Sequence, residues 1–323
     1  VADSDFVKQE GIAGRLAFQA MAIAATGSGR KGKAYFSAND MSAFVPDGAR
    51  VESRLSSLSE TAGLMAPHEP IINDAKGALF CVLYGLKTWG DIFSPRQTLC
   101  LLTFVAAVRE AETEITKAGI VGGRAKGIVT YLAGMVDKLA DFNSVQCTWN
   151  YTDGERLRNS FSRQTLAMVW DSAEINPFND AGGGWSKYLE DIPAAIAMLN
   201  MEGTTAPVVQ RGSAMKPPWP LASLDAVVTD PPYYDNVPYA DISDFFYVWL
   251  KRTVGHLYPE HFANEGTPKK TEAVADAVRH AGDRRAANKA YEAMMAQAFT
   301  EAGRMLKPGG SLIVVYAHKT TLG

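Results

Sequence analysis

The chain has 323 residues, of which 47% are hydrophobic and 21% charged, and a net charge of -3. This is ordinary globular composition, which excludes disorder, collagen-like repeats and coiled coil. The length fits two average domains or one large α/β domain with insertions. The acidic balance lacks the overall basic footprint common in nucleic-acid-binding domains.

In chain order, residues 11–25 (GIAGRLAFQAMAIAA) read as a short helix with little charge. Residues 26–34 form a glycine-rich basic loop that nearly spells a P-loop. Ala34 stands where the magnesium-binding hydroxyl is required, and the flanking elements come in reverse order, so nucleotide hydrolysis is rejected. Residues 35–95 mix short apolar pieces with turn signals such as Pro46-Asp47-Gly48. The spacing predicts a helix over 95–118, with Pro95 in its first turn, and a second over 123–139. Residues 161–178 are a helical or strand-like apolar piece ending in Asn176-Pro177-Phe178. Gly182, Gly183 and Gly184 follow, then a helix over 185–199 interrupted or kinked at Pro193. Three short apolar segments, 206–211, 224–229 and 311–317, read as buried parallel strands. A helix over 286–306 precedes the last of them. The expected organisation is a mainly helical accessory region over 1–150 and an α/β catalytic core over 151–323.

Cys81, Cys100 and Cys147 form no CxxC pair and are odd in number, so neither a disulfide framework nor a local zinc knuckle is expected. A reducing compartment, the cytoplasm, fits that usage. The longest mostly apolar stretch, 99–108, is too short to cross a bilayer, and 1–10 carries no signal peptide, so no membrane association is expected. His256 and His261 are five residues apart, outside the usual metal spacings, and read as a solvated pair; no metal site is expected. The first residue is valine and the last follow closely on an apolar run, which reads as an internal fragment of a longer protein.

The sharpest feature is Asp230-Pro231-Pro232-Tyr233 directly after the strand at 224–229. Such a string arises by chance in roughly one chain in a hundred of this length. It sits at the C-terminal end of a strand, where open α/β sheets place ligands. An exocyclic amine on a nucleobase is a poor nucleophile because its lone pair is delocalised into the ring. A site that methylates it must accept hydrogen bonds from the NH2 group. Asp230 offers a carboxylate, and the carbonyl of Pro231 a second acceptor whose direction is preset by the fixed proline φ. Pro232 holds the turn, and Tyr233 supplies a flat face for a base taken out of the duplex. A plain proline turn leaving a strand is the alternative reading.

This tetrapeptide resembles the catalytic motif of amino-methyltransferases that act on N6 of adenine or N4 of cytosine. The segments 208–214 (VVQRGSA), 224–234 (LDAVVTDPPYY) and 306–314 (LKPGGSLIV) look like the strand and loop passages of methyltransferases that use S-adenosylmethionine. The blocks at 230–250, 85–96 and 168–178 look like an uncharacterised family of adenine-specific DNA methylases described as carrying a zinc ribbon. The resemblance implies a Rossmann-like core, S-adenosylmethionine as cofactor, DNA as partner and transfer to N6 of adenine. N4 of cytosine is the close alternative, and a catalytically inactive DNA-binding module of a defence system the other. It implies cofactor contact near Gly212, Ser213 and Ala214, and a base pocket from Tyr234, Asp235, Asn236 and Tyr239. The zinc-ribbon cysteines and the usual glycine-rich cofactor loop are absent, and in the family both would lie upstream of Val1. Asn176-Pro177-Phe178 with the glycines 182–184 is a candidate for that loop and Glu174 for a ribose contact, although a linker and a solvated carboxylate are the preferred readings.

Charge is uneven along the chain. Residues 251–289 carry +3 and the remainder -6. This basic insertion, with Lys251, Arg252, Lys269 and Lys270, is the candidate contact to the DNA backbone, an ordinary solvated surface being the equal alternative. Phe245, Phe246 and Trp249, just before it, read as core.

Overall fold

The computed structural model describes residues 3–26, 32–72, 79–152, 154–180, 182–199, 205, 207–234 and 237–316. The basic loop at 27–31, Asp235 and Asn236 of the expected base pocket, Ala206 and the segment after Tyr316 lie outside them. Helices and strands are mixed, so the fold class is α/β in the coarse sense. The chain divides into two compact units. The first comprises residues 1–73, 79–200 and 242–267, and the second 74–78, 201–241 and 268–323. The first unit thus runs past residue 150 and takes in the first part of the basic insertion.

The first unit holds α1 (Ser4–Ile12), the antiparallel hairpin β1 (Ala22–Thr26) and β2 (Lys33–Ser37), α2 (Gly48–Ala62), α3 (Pro95–Lys117) and α4 (Gly122–Phe142). It continues through a second hairpin, β3 (Thr148–Asn150) and β4 (Arg156–Arg158), and α5 (Trp185–Leu199). Two expectations change here. The helix expected over 11–25 is a helix that has ended by Ile12 and a strand that starts at Ala22. Its alanine-rich text fits a helix by propensity, but Ala22–Thr26 finds a hairpin partner, and pairing overrides the weak prior. The segment 161–178 forms no helix or strand beyond one bridge, Thr148 to Ser172.

Helix α2 was not expected. Asp47 starts it by accepting from the amide of Arg50, and Gly63, at φ 61°, ends it with its amide on Ser59 O while Leu64 N reaches Leu58 O. Helix α3 starts on a capping box, in which Ser94 Oγ accepts from Gln97 N and Gln97 Oε1 accepts from Ser94 N. Both side chains are buried. Ser94→Ala is expected to lower stability by about 1 kcal/mol, read as a shift in the urea midpoint at unchanged slope.

The core of this unit is aromatic. Trp249 and Phe245, both fully buried on α6 (Tyr239–Val254), meet Phe93 at 5.1 and 5.6 Å, and Phe245 also meets Trp89 and Phe161. Phe245, Val248 and Trp249 recur at three- and four-residue spacing, so one face of α6 is buried.

The second unit contains the parallel pair β5 (Leu224–Thr229) and β6 (Leu306–Val314), with α7 (Arg284–Met305) leading directly into β6. Parallel neighbours need a long crossover, and the chain between β5 and β6 supplies it. Lys307 to Gly310 bulge out of the ladder, so Leu306 faces Leu224 and Ser311 faces Ala226. Lys307 Nζ donates to Asp225 Oδ1 at 2.7 Å across that bulge. A Cβ at Gly310 would lie 3.0 Å from Asp225 O, a closer approach than most side chains make. Two further expectations are corrected. Residues 207–211 form no strand, and Val209 is 88% exposed. The parallel strands are not buried among the described residues: Val228, Ile313 and Val314 face solvent. Apolar content and β-branching called them strands, but burial needs covering layers that a sequence pattern does not specify.

Candidate functional site

Strand β5 ends at Thr229 and delivers Asp230 to the C-terminal edge of the sheet, where its side chain is exposed. Its parallel neighbour delivers Tyr316 to the same edge, because Val314 faces Thr229 and Val315 N donates to Thr229 O at 2.8 Å. Tyr233 turns back from the proline pair. Its hydroxyl donates to Asp230 Oδ1 at 2.5 Å, and its ring stands edge-on to Tyr316 at 5.5 Å. The hydrogen bond to Asp230 is the main cause that holds the Tyr233 phenol above its usual pKa, so it stays a donor through neutral pH. Thus Asp230 and Tyr233 lie together at the strand end, and the tyrosine closes over the carboxylate by hydrogen bonding to it.

The carbonyls of the proline pair differ. Pro232 O accepts from Tyr291 Oη at 2.7 Å and from Tyr234 N at 3.1 Å. Pro231 O has no hydrogen-bond partner among the described residues. Pro231 is buried and cannot rotate φ, so its carbonyl is held in one direction without being used by the fold.

Tyr291, on α7, was not foreseen. It is buried, and burial, followed by its hydrogen bond with Tyr316, pushes its phenol up to about 12. Its ring also packs on Tyr234 at 4.6 Å. The only signal in the sequence is one of two aromatics, the other being Phe299, in an alanine-rich helix. Tyr316 had a clearer one, since parallel strands bring together the residues that follow their C-terminal ends. Tyr291→Phe is expected to cost about 1 kcal/mol of stability by leaving Pro232 O with one donor fewer, measured by thermal unfolding.

Tyr234 is part of the frame. It has φ 55°, a conformation rare for a bulky residue. Its amide, carbonyl and hydroxyl bond to Pro232 O, Ala275 N and Glu292 Oε1, the last at 3.2 Å. Tyr239 is 45% exposed at the start of α6 and offers a free ring edge to solvent.

The other expected site residues stand apart from this group. Gly212, Ser213 and Ala214 are exposed, and Ser213 closes a turn on itself, accepting from Met215 N through Oγ and from Lys216 N through its carbonyl. Among the described residues no hydrogen bond joins that turn to the Asp230 loop. In the first unit, Glu174 is paired with Arg96 at 2.9 Å, and Phe178 and Trp185 lie against Phe104. A Cβ at Gly183 would lie 2.4 Å from Ile175 Cδ1, and its φ is 96°. Gly183 and Trp185 are therefore packed against their neighbours.

Of the expected phosphate contacts, Arg252 is already engaged. Its guanidinium binds both carboxylate oxygens of Glu69 at 2.9 and 3.0 Å and the carbonyls of Met65, Ala66 and Val248. Lys251 donates to Asn264 O at 2.7 Å. In the second unit Lys270 is exposed and Lys269 partly so.

His256 pairs with Glu112 at 2.7 Å, and no metal-binding group of side chains occurs among the described residues. The three cysteines are unpaired, and burial pushes the thiols of Cys81 and Cys100 up to about 12. No described helix is long and apolar enough to cross a membrane. No family model, no curated protein and no solved structure matches the chain.

Proposed function

We infer that the chain is the base-binding and catalytic part of an amino-methyltransferase acting on N6 of adenine in DNA. The observation that carries this reading is the pairing of acceptors at one strand end, with the Asp230 carboxylate exposed and the Pro231 carbonyl fixed and unused. Two acceptors are what an NH2 group needs to be held with its lone pair turned toward an electrophile. Tyr233 and Tyr316 place two aromatic rings, edge to face at 5.5 Å, beside the position, and an aromatic ring is what a flipped base stacks on. The parallel β5–β6 pair joined through α7 supports a Rossmann-like core.

S-adenosylmethionine as methyl donor rests on the resemblance of the Asp-Pro-Pro-Tyr segment. When bound it would supply an electrophilic methyl group to the amine, so no Ser or Cys nucleophile would be needed. The described residues do not form a glycine cradle for it, because Gly212–Ala214 is an exposed turn and Gly183 is filled by Ile175. The chain's own chemistry is therefore that of the amine: it orients the NH2 group, and Asp230 accepts one of its hydrogen bonds.

The test is transfer of labelled methyl from S-adenosylmethionine to duplex DNA, followed by hydrolysis and identification of the nucleoside. Label in N6-methyladenine is the expected result. Label in N4-methylcytosine would move the reading to that amine, which presents the same geometry. A protein that is folded yet transfers no label to either would overturn it.

A further inference from the structure

The loop that follows Asp230 is held at both of its ends by one segment, residues 268–283. At the near end, Ala275 N donates to Tyr234 O at 3.1 Å. At the far end, Glu272 Oε1 accepts from Ala240 N at 2.9 Å, and Arg279 Nη2 donates to Asp241 Oδ2 at 2.7 Å. Arg279 unites the far set. Its Nη2 also meets Glu272 Oε2 at 2.8 Å, its Nη1 donates to Lys269 O at 2.9 Å, and its Nε lies 3.6 Å from Asp276 Oδ2. Asp276 in turn accepts from Val278 N, which fixes the turn bearing Arg279. Asp241 and Asp276 are almost wholly buried, and Arg279 is 19% exposed.

A guanidinium engaged by Asp241, Glu272 and the Lys269 carbonyl, with Asp276 beside it, is not a surface charge awaiting a phosphate. Burying three carboxylates around one arginine is costly, and fixing one particular arrangement is what such a cluster can offer in return. Here the arrangement is the span from Tyr234 to Asp241, between the catalytic tetrapeptide and α6. That span carries the residues expected to line the base pocket.

We propose that Arg279, with Glu272 and Asp241, is the positioning set for the base-binding loop of this site: it braces Ala240 and Asp241 at the loop's far end while Ala275 braces Tyr234 at the near end. The set touches neither base nor cofactor, and it acts through the loop. This rests on the amino-methyltransferase reading for its substrate, but the bracing itself does not.

The experiment uses the whole chain. Arg279→Met alone leaves buried carboxylates unpaired and risks unfolding. The principal variant is therefore the combined Arg279→Met, Asp241→Asn, Glu272→Gln, Asp276→Asn, which removes the charges together and closely keeps the volumes. Arg279→Lys is its companion, since a point charge cannot serve the same fork of acceptors. Amide hydrogen exchange is followed in peptides covering 231–241 and, as a control, 224–229 and 306–314. The expected result for the combined variant is exchange over 231–241 faster by roughly tenfold or more, with the strand peptides unchanged. Arg279→Lys should fall between it and the wild type.

In methyl transfer, the KM for DNA should rise and kcat fall, with the KM for S-adenosylmethionine unchanged. Unchanged exchange over 231–241 would overturn the proposal. So would faster exchange that is equal in the strands, because the set would then be a general stability element. If the wild type transfers no methyl group, the functional reading fails while the exchange measurement still decides the brace.

Discussion

Asp230→Ala is expected to lower the rate of methyl transfer by about a hundred- to a thousandfold, the loss typical of removing one preorganised polar group at a reacting centre. Asp230 is exposed, and its one described side-chain partner is Tyr233, so the substitution leaves no buried group unpaired and the fold should be untouched. An unchanged melting temperature with lost transfer is the signature to look for. Asp230→Asn keeps one acceptor oxygen and should lose less. Tyr233 gives the sharper test, because its hydroxyl occupies Asp230 Oδ1 at 2.5 Å. If that bond closes the site before the base enters, Tyr233→Phe frees the oxygen while keeping the ring, and transfer should hold or rise with a lower KM for DNA. Tyr233→Ala removes the stacking face as well and should weaken binding by about 1–3 kcal/mol. Equal rates for wild type and Asp230→Ala would remove Asp230 from the chemistry.

The site was legible as far as local order carries it. A strand followed by Asp-Pro-Pro-Tyr needs only the residues themselves, and the structure puts Asp230 and Tyr233 in contact at a strand end. What sequence order could not show was who occupies each polar atom. Tyr291 lies 59 positions beyond the Pro232 carbonyl that it binds, and Arg252 lies 183 beyond Glu69. Tyr234, Arg252 and Arg279 all carry groups suited to a ligand, yet tertiary partners claim them. Helices were legible where an apolar stripe persisted, as in α3 and α4, whose bounds fall close to the expected ones. Helix α2 was missed because one residue of its fifteen, Val51, is buried, so serines and charges mask its period. Asp47 and Gly63 at its ends were the available signal, as cap chemistry is local. β1 was missed for the opposite reason, since Ala-rich text satisfies a helix by propensity while its pairing with β2 is a non-local fact.

Arg252 supplies the second large effect, and it concerns stability in the first unit. Arg252→Met is expected to cost about 3–5 kcal/mol, because it leaves Glu69 buried without its cation. Side-chain exposure is 12% for Arg252 and 8% for Glu69, so solvent screens little of the interaction. The pH dependence follows from Glu69. Burial alone raises its pKa, but the hydrogen bonds and charge of Arg252 outweigh burial and hold it below the usual 4.5. A carboxyl depressed in the folded state contributes stability that is fully present above its unfolded value. That contribution is lost as pH falls through the lower, folded value. The wild type should therefore lose stability on acidification below about pH 4.5. In Arg252→Met the sign reverses, since burial then acts unopposed and protonation of Glu69 relieves the unpaired charge. The gap between variant and wild type, measured by urea unfolding, should narrow from pH 7 to pH 4. Pairing Arg252→Met with Glu69→Leu should recover most of the loss, as an apolar pair of similar volume often replaces a buried ion pair at little cost. A variant equally destabilised at both pH values would show that the fourfold carbonyl and carboxylate grip of Arg252, rather than its charge on Glu69, sets the stability of this corner.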